Sequence, residues 1–221
     1  MLDEISTSDI NKHSDAEKAS SSFNPDKRID FTKEDTLELE QLSSVGSSTY
    51  NPDKRIETET DIEKQNKVIE QVDSNHLQNE FTTKEKGNYG EMKVDQNMRE
   101  NGYDKISGRM VTDLDAPLEK GIDGVYENKD GHPPIVIIDA KYGIAKLGET
   151  QDGKQMSSSW INNRLDEAVG KEKADEIRME QLLNPDNVVS YVGHVDCNGN
   201  VTYDKLDSNA QVIEKDAKIN A

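Results

Sequence analysis

Asp139 and Lys141 stand two residues apart in PIVIIDAKYG (134–143), and Asp123 precedes them in GIDGVYEN (121–128). On a β-strand, side chains at i and i+2 share a face. Asp139 and Lys141 therefore project together if this apolar run is a strand, and Asp123 joins them if the preceding segment pairs with it in the right register. Two carboxylates converging beside a sheet repel each other unless positive charge lies between them. A hard divalent cation meets that need through oxygen ligands. A lysine beside it can orient a water or offset charge developing on a phosphate. That combination suits hydrolysis of a phosphodiester bond.

The elements that would position these groups follow from the local pattern. KEKGNYGEMKVDQNMRENG (84–102) reads as a helix ended by Asn101-Gly102. YDKISGRM reads as a short strand or connector, VTDLDAPLEKG as a loop and GIDGVYEN as a strand. KDGHPP (129–134) supplies a turn. PIVIIDAKYG carries apolar residues on both faces, as a central strand covered on both sides does. A glycine-spaced loop, IAKLGETQDGKQM, follows. Ser157 then caps a helix whose stripe is Trp160, Ile161, Arg164, Leu165, Ala168 and Val169. Helix continues through KADEIRMEQLL to Asn184-Pro185, and VVSYVGHVDCNGNVTYDKL closes as a hairpin around Asn198-Gly199. The order αβββαββ predicts one α/β domain over 85–207, with 208–221 as a C-terminal tail.

Composition sets the rest. With 33% charged and only 32% hydrophobic residues and a net charge of −18, the chain can fill one modest core. The single Trp and six of the seven Tyr lie beyond residue 84. Residues 1–84 are therefore expected to be a disordered acidic linker. Within it SSFNPDKRID (21–30) recurs as STYNPDKRIE (48–57), too few copies for a solenoid. IEKQNKVIEQV (62–72), with Ile62, Val68 and Val72, is a weakly helical lead-in. One cysteine, Cys197, excludes an intrachain disulfide and a cysteine-based zinc site. No apolar run is long enough to span a membrane. MLDEISTSDI lacks the basic start and apolar core of a signal peptide.

Other candidates read as structural. Trp160 belongs in the core, His132 in an exposed connection, and His194 in a strand as a satisfied histidine. Asp196 to Asn200 is a turn, because the glycine and terminal glutamate of a calcium loop are missing at the required offsets.

The residues of the opening stretch resemble the PD-(D/E)XK signature of restriction-endonuclease-like nucleases, with Asp123 followed by Asp139-Ala140-Lys141. Glu91, in GNYGEMK, stands where that superfamily often keeps a third acid. KQMSSSWINNRL (154–165) resembles a Gln-Met-Ser…Trp-Ile segment of toxin domains from bacterial polymorphic toxins, including contact-dependent inhibition proteins. The resemblance covers roughly residues 85–205. It implies a restriction-endonuclease-like α/β core, with a mixed central sheet flanked by helices. Asp123 and Asp139 would ligate the metal with Glu91 in support, Lys141 would position the water, and Gln155 would contact that water or the phosphate. Mg²⁺ or Mn²⁺ is the implied cofactor, with Zn²⁺ a further option. The implied function is an endonuclease, DNA favoured over tRNA, delivered from one bacterium to the cytoplasm of another and blocked by a cognate immunity protein. Ile122 stands where the signature has Pro, and Asp139 is the shorter of the permitted acids.

Nucleic-acid enzymes draw affinity from basic surfaces, whereas residues 85–221 are net −9. A local rim of Lys141, Lys146, Lys154, Arg164 and Lys171 is the expected remedy. The rival from another class is a non-catalytic, acidic binding or adaptor module.

Overall fold

The computed structural model describes residues 52–219. Helix α1 (Pro52–Asn75) and a 3₁₀ turn (Leu77–Glu80) lead into α2 (Thr83–Glu100). Thr82 and Glu85 form a reciprocal capping box at the start of α2, at 3.3 and 2.7 Å, a device worth about 1 kcal/mol. The sheet follows as β1 (Asp104–Lys105), β2 (Gly124–Glu127) and β3 (Ile135–Tyr142). A small hairpin, β4 (Glu149–Thr150) with β5 (Gly153–Lys154), stands apart from it. Helices α3 (Ser158–Asn162), α4 (Leu165–Val169) and α5 (Lys171–Leu183) precede β6 (Val188–Val195), β7 (Val201–Leu206) and β8 (Val212–Glu214).

The six-stranded sheet has the order β1-β2-β3-β6-β7-β8. Only β3 and β6 are parallel; every other pair is antiparallel. The expected mixed α/β architecture is therefore present. As the two-faced apolar pattern requires, β3 is covered on both sides. Val136 and Ile138 pack with Tyr89, Val94 and Met98 of α2. Ile135 and Ile137 pack with Trp160, Ile161, Leu165 and Ile177 of α3 to α5. Trp160 lies in the core, as expected. Each such side chain removed from water contributes roughly 1.5–3 kcal/mol. Close approach of α2 to β6 depends on Gly193, where an added Cβ would come within 2.9 Å of Val94 Cγ2.

The structure departs from the sequence reading in three places. The expected helix from Ser157 to Val169 is two short helices, because the chain breaks at Asn163-Arg164, and Gly170 (φ 79°) separates α4 from α5. Folded structure begins before residue 85: Gln65, Ile69 and Val72 of α1 are buried, spaced for one helical face. Nor is 208–219 a bare tail, since β8 pairs with β7 and Ala217 and Ile219 are buried. The helical lead-in expected over 62–72 is present within α1, which buries Gln65 and Ile69 together with Val72. The first NPDKRI copy lies outside the described residues, whereas the second runs into α1, with Pro52 as its first helical residue.

Candidate active site

β2 and β3 pair so that Gly124 lies opposite Ile138. Continued by one residue, that register sets Asp123 beside Asp139, whose side chain shares the face of Ile135 and Ile137 that α3 to α5 cover. Asp123 lies just outside the strand, and its Oδ2 accepts from the Ala140 N–H at 2.8 Å. The carboxylate thus takes the place of the next backbone acceptor in the ladder. Gly124 permits this arrangement: an added Cβ would meet the Tyr126 ring at 2.4 Å or less.

Asp139 is fully buried. Gln155 Nε2 donates to its Oδ1, and Lys141 forms an ion pair with its Oδ2. Both oxygens of this carboxylate are thus occupied, Oδ1 by an amide and Oδ2 by an ammonium. Lys141 keeps 15% of its side chain exposed, at the mouth of the cluster. Gln155 is held in turn, its Oε1 accepting from the Gly148 N–H at 3.2 Å.

Glu91 projects from α2, on a buried polar stripe with Asn88 and Asp95 at helical three- and four-residue spacing. It sits mid-helix, so attraction to the helix N-terminus does not account for it. Its carboxylate accepts from Arg109 Nε at 3.2 Å. Burial pushes Glu91 up to about 7, the charge of Asp123 adds to the shift, and Arg109 opposes it. Asp139 is pushed up to about 8, by burial first and Asp123 second, against the pull of Lys141. Burial also raises Asp123, opposed by the Ala140 N–H and by Lys141. The three acids therefore feel one another, and the positive groups present do not offset their burial and repulsion.

Of the five residues singled out in the sequence, Asp139, Lys141 and Gln155 are in direct contact. Asp123 is bound to the backbone between the first two, and Glu91 joins through electrostatics and Arg109. Arg109 carried no signal in the sequence, being one arginine in an aperiodic loop. It pairs with both Glu91 and Glu119 and lines a cleft of ≈ 440 Å³ together with Asp123, Lys120 and Arg164.

The expected basic rim is largely engaged elsewhere. Lys141 faces Asp139, Arg164 pairs with Asp152 and lies over the Trp160 ring, and Lys171 pairs with Asp175. Lys154 donates to the Ala210 carbonyl at 2.7 Å. Acidic neighbours outnumber bases in this chain, so ion pairing consumes the cations that a rim would need.

A hard cation fits the chemistry of the donor set here, because it would offset the mutual repulsion of three crowded carboxylates. Among the described residues, no three acidic, histidine or cysteine side chains already stand at ligand spacing. Asp123 and Asp139 are thus the paired ligands that would hold such an ion, with Glu91 in support. None of the helices described is long and apolar enough to cross a membrane. Compared with known proteins, the chain matches no family model, no curated protein and no solved structure.

Proposed function

We propose that the chain is a metal-dependent endonuclease, with DNA favoured as substrate. One observation carries the reading: Asp139, a buried carboxylate raised to about 8, lies opposite a second acid and against a lysine at the rim of the sheet. Strongly shifted acids gathered beside a cleft are a mark of chemistry rather than of packing. Asp123 and Asp139 would hold Mg²⁺ or Mn²⁺, which when bound supplies Lewis acidity and a charge against the phosphate.

The chain's own residues do the positioning. Gln155 fixes Asp139 by one oxygen and leaves the other turned toward Lys141. Lys141, partly exposed, donates to the attacking water or to a phosphate oxygen. Arg109 holds Glu91 beside Asp123, and the cleft it lines with Lys120 and Arg164 receives the polynucleotide backbone.

The role of toxic effector, delivered into a target bacterium and blocked by an immunity protein, rests on the residue resemblance alone. A tRNA-cleaving enzyme of the same fold is the nearest alternative. Incubating the chain with plasmid and with total tRNA, in Mg²⁺ or Mn²⁺ and again with EDTA, decides between them. Loss of neither polymer would remove the nuclease reading. A second reading, a non-catalytic acidic adaptor, is favoured by how far the cluster satisfies itself: Gln155, Lys141 and the Ala140 N–H already occupy the two aspartates. Titration calorimetry that detects no Mg²⁺ or Mn²⁺ binding would support it.

A further inference from the structure

The polar row on the α3–α5 face of the sheet does not stop at Lys141. β3 and β6 run parallel with Lys141 opposite His194, and residues opposite one another in a ladder project from the same face. On the next strand Val192 lies opposite Asp204. Val192 packs on the α3–α5 side, so Asp204 is on that side too. From β3 to β7 the same face presents Asp139, Lys141, His194 and Asp204.

His194 Nε2 stands 3.3 Å from Asp204 Oδ2. The other oxygen, Asp204 Oδ1, accepts from the Asp216 N–H at 3.2 Å, which fixes the carboxylate from behind. Nε2 is thus the ring nitrogen nearest the carboxylate, and Nδ1 is left for another partner. A third of the His194 side chain is exposed, against 16% of Asp204, while Val192 and Val195 on the same strand are buried. A histidine kept only for structure needs the carboxylate but not the opening. Strands pair about 4.8 Å apart, so His194 is the immediate neighbour of Lys141 on the side away from Asp123.

We infer that His194 is a further catalytic residue, the general acid that protonates the leaving oxygen, with Asp204 as its positioning residue. This rests on the phosphodiester-hydrolase reading above. In the step, the oxygen of water bonds to phosphorus while the bond from phosphorus to the leaving sugar oxygen breaks. The electron pair of that bond stays on the leaving oxygen, which takes the proton of the His194 imidazolium. The proton lost by the water passes to solvent, and solvent reprotonates the neutral imidazole.

The test compares the full chain with His194→Ala and His194→Gln on an oligonucleotide that the parent cleaves, and on the same oligonucleotide with sulfur replacing the bridging oxygen. Both the 3′- and 5′-bridging sulfur versions are used, since thiolate leaves without needing a proton. Both variants should lose roughly 10²–10³-fold on the oxygen linkage and only a few-fold on the sulfur linkage. His194→Gln separates folding from chemistry, because its amide can still donate to Asp204 and its melting temperature should match the parent's. Asp204→Asn should show the same selectivity for oxygen over sulfur at a smaller amplitude. Unchanged cleavage of the oxygen linkage, or equal losses on both linkages, overturns the assignment alone. A parent chain that cleaves no polynucleotide overturns the nuclease reading and this assignment with it.

Discussion

Two buried acid–lysine pairs belong to this one sheet, and they are built differently. Behind β1 and β2, Asp95 accepts from Lys105 at 2.8 Å, from Tyr126 at 2.6 Å and from Gln65 at 3.0 Å. Gln65 is itself fixed by Arg99 at 2.7 Å and by the Val111 carbonyl at 2.9 Å. Every oxygen of that carboxylate has a donor, and only 5% of the lysine side chain is exposed. At the other pair, Asp139 is equally buried but feels the charge of a second acid, Asp123, and is pushed up to about 8. The first pair has a donor on every carboxylate oxygen; in the second, burial and a neighbouring carboxylate disfavour ionisation of the acid. Equal burial thus leaves two acids in different electrostatic settings.

The largest expected effect breaks the second pair. Asp139→Ala should lower nuclease activity by roughly 10³-fold while leaving the melting temperature unchanged or raised, as followed by plasmid cleavage and calorimetry. Asp95→Ala should do the reverse to stability: stranding the Lys105 charge in the core is expected to cost about 3–5 kcal/mol, measurable by denaturant unfolding. A large loss of stability in Asp139→Ala, or none in Asp95→Ala, would erase the distinction drawn above.

Proton linkage sharpens the contrast. Asp139 and Glu91 have folded values of about 8 and about 7, above the ordinary carboxylate range near 4. Between those limits the folded chain holds more protons than the unfolded one, so stability should fall as pH rises from about 4 to about 8. Mn²⁺ should restore it, most strongly at the upper end of that window, and Asp139→Asn should flatten the slope. Thermal unfolding across pH with and without Mn²⁺ checks the sign. The smallest effect belongs to Gln155→Ala, which removes a group orienting a ligand rather than the ligand itself. A loss of roughly 10–100-fold in metal affinity or activity is expected, readable by titration calorimetry and cleavage.

The placement of the candidate site residues was easier to read than the scaffold that holds them. Asp139 and Lys141 declared themselves because period-two geometry and an apolar run leave no other way to place them, and Asp123 followed from the hairpin. Gln155 was indicated only by its surrounding segment. Arg109 was illegible: its role comes from a loop folding back on α2, and no local spacing encodes that return. Lys105 and Asp95 were equally hidden, since their pairing depends on β1 meeting α2. The free charge of the basic rim was overestimated because nearby acids claim its members: Lys141 pairs with Asp139, Lys171 with Asp175 and Arg164 with Asp152.

The loop carrying Gln155 is tied at its root to the turn between β7 and β8. Lys154 Nζ donates to the Ala210 carbonyl, and the Ser158 N–H donates to the Ser208 carbonyl at 2.9 Å. The β7–β8 turn thereby anchors the segment from which Gln155 reaches Asp139. Clipping the polypeptide after Leu206 would spare every proposed ligand, yet release the amide that steadies one of them. Such a shortened protein should bind metal loosely and turn over slowly, a defect that no inventory of missing side chains at the reaction centre would explain.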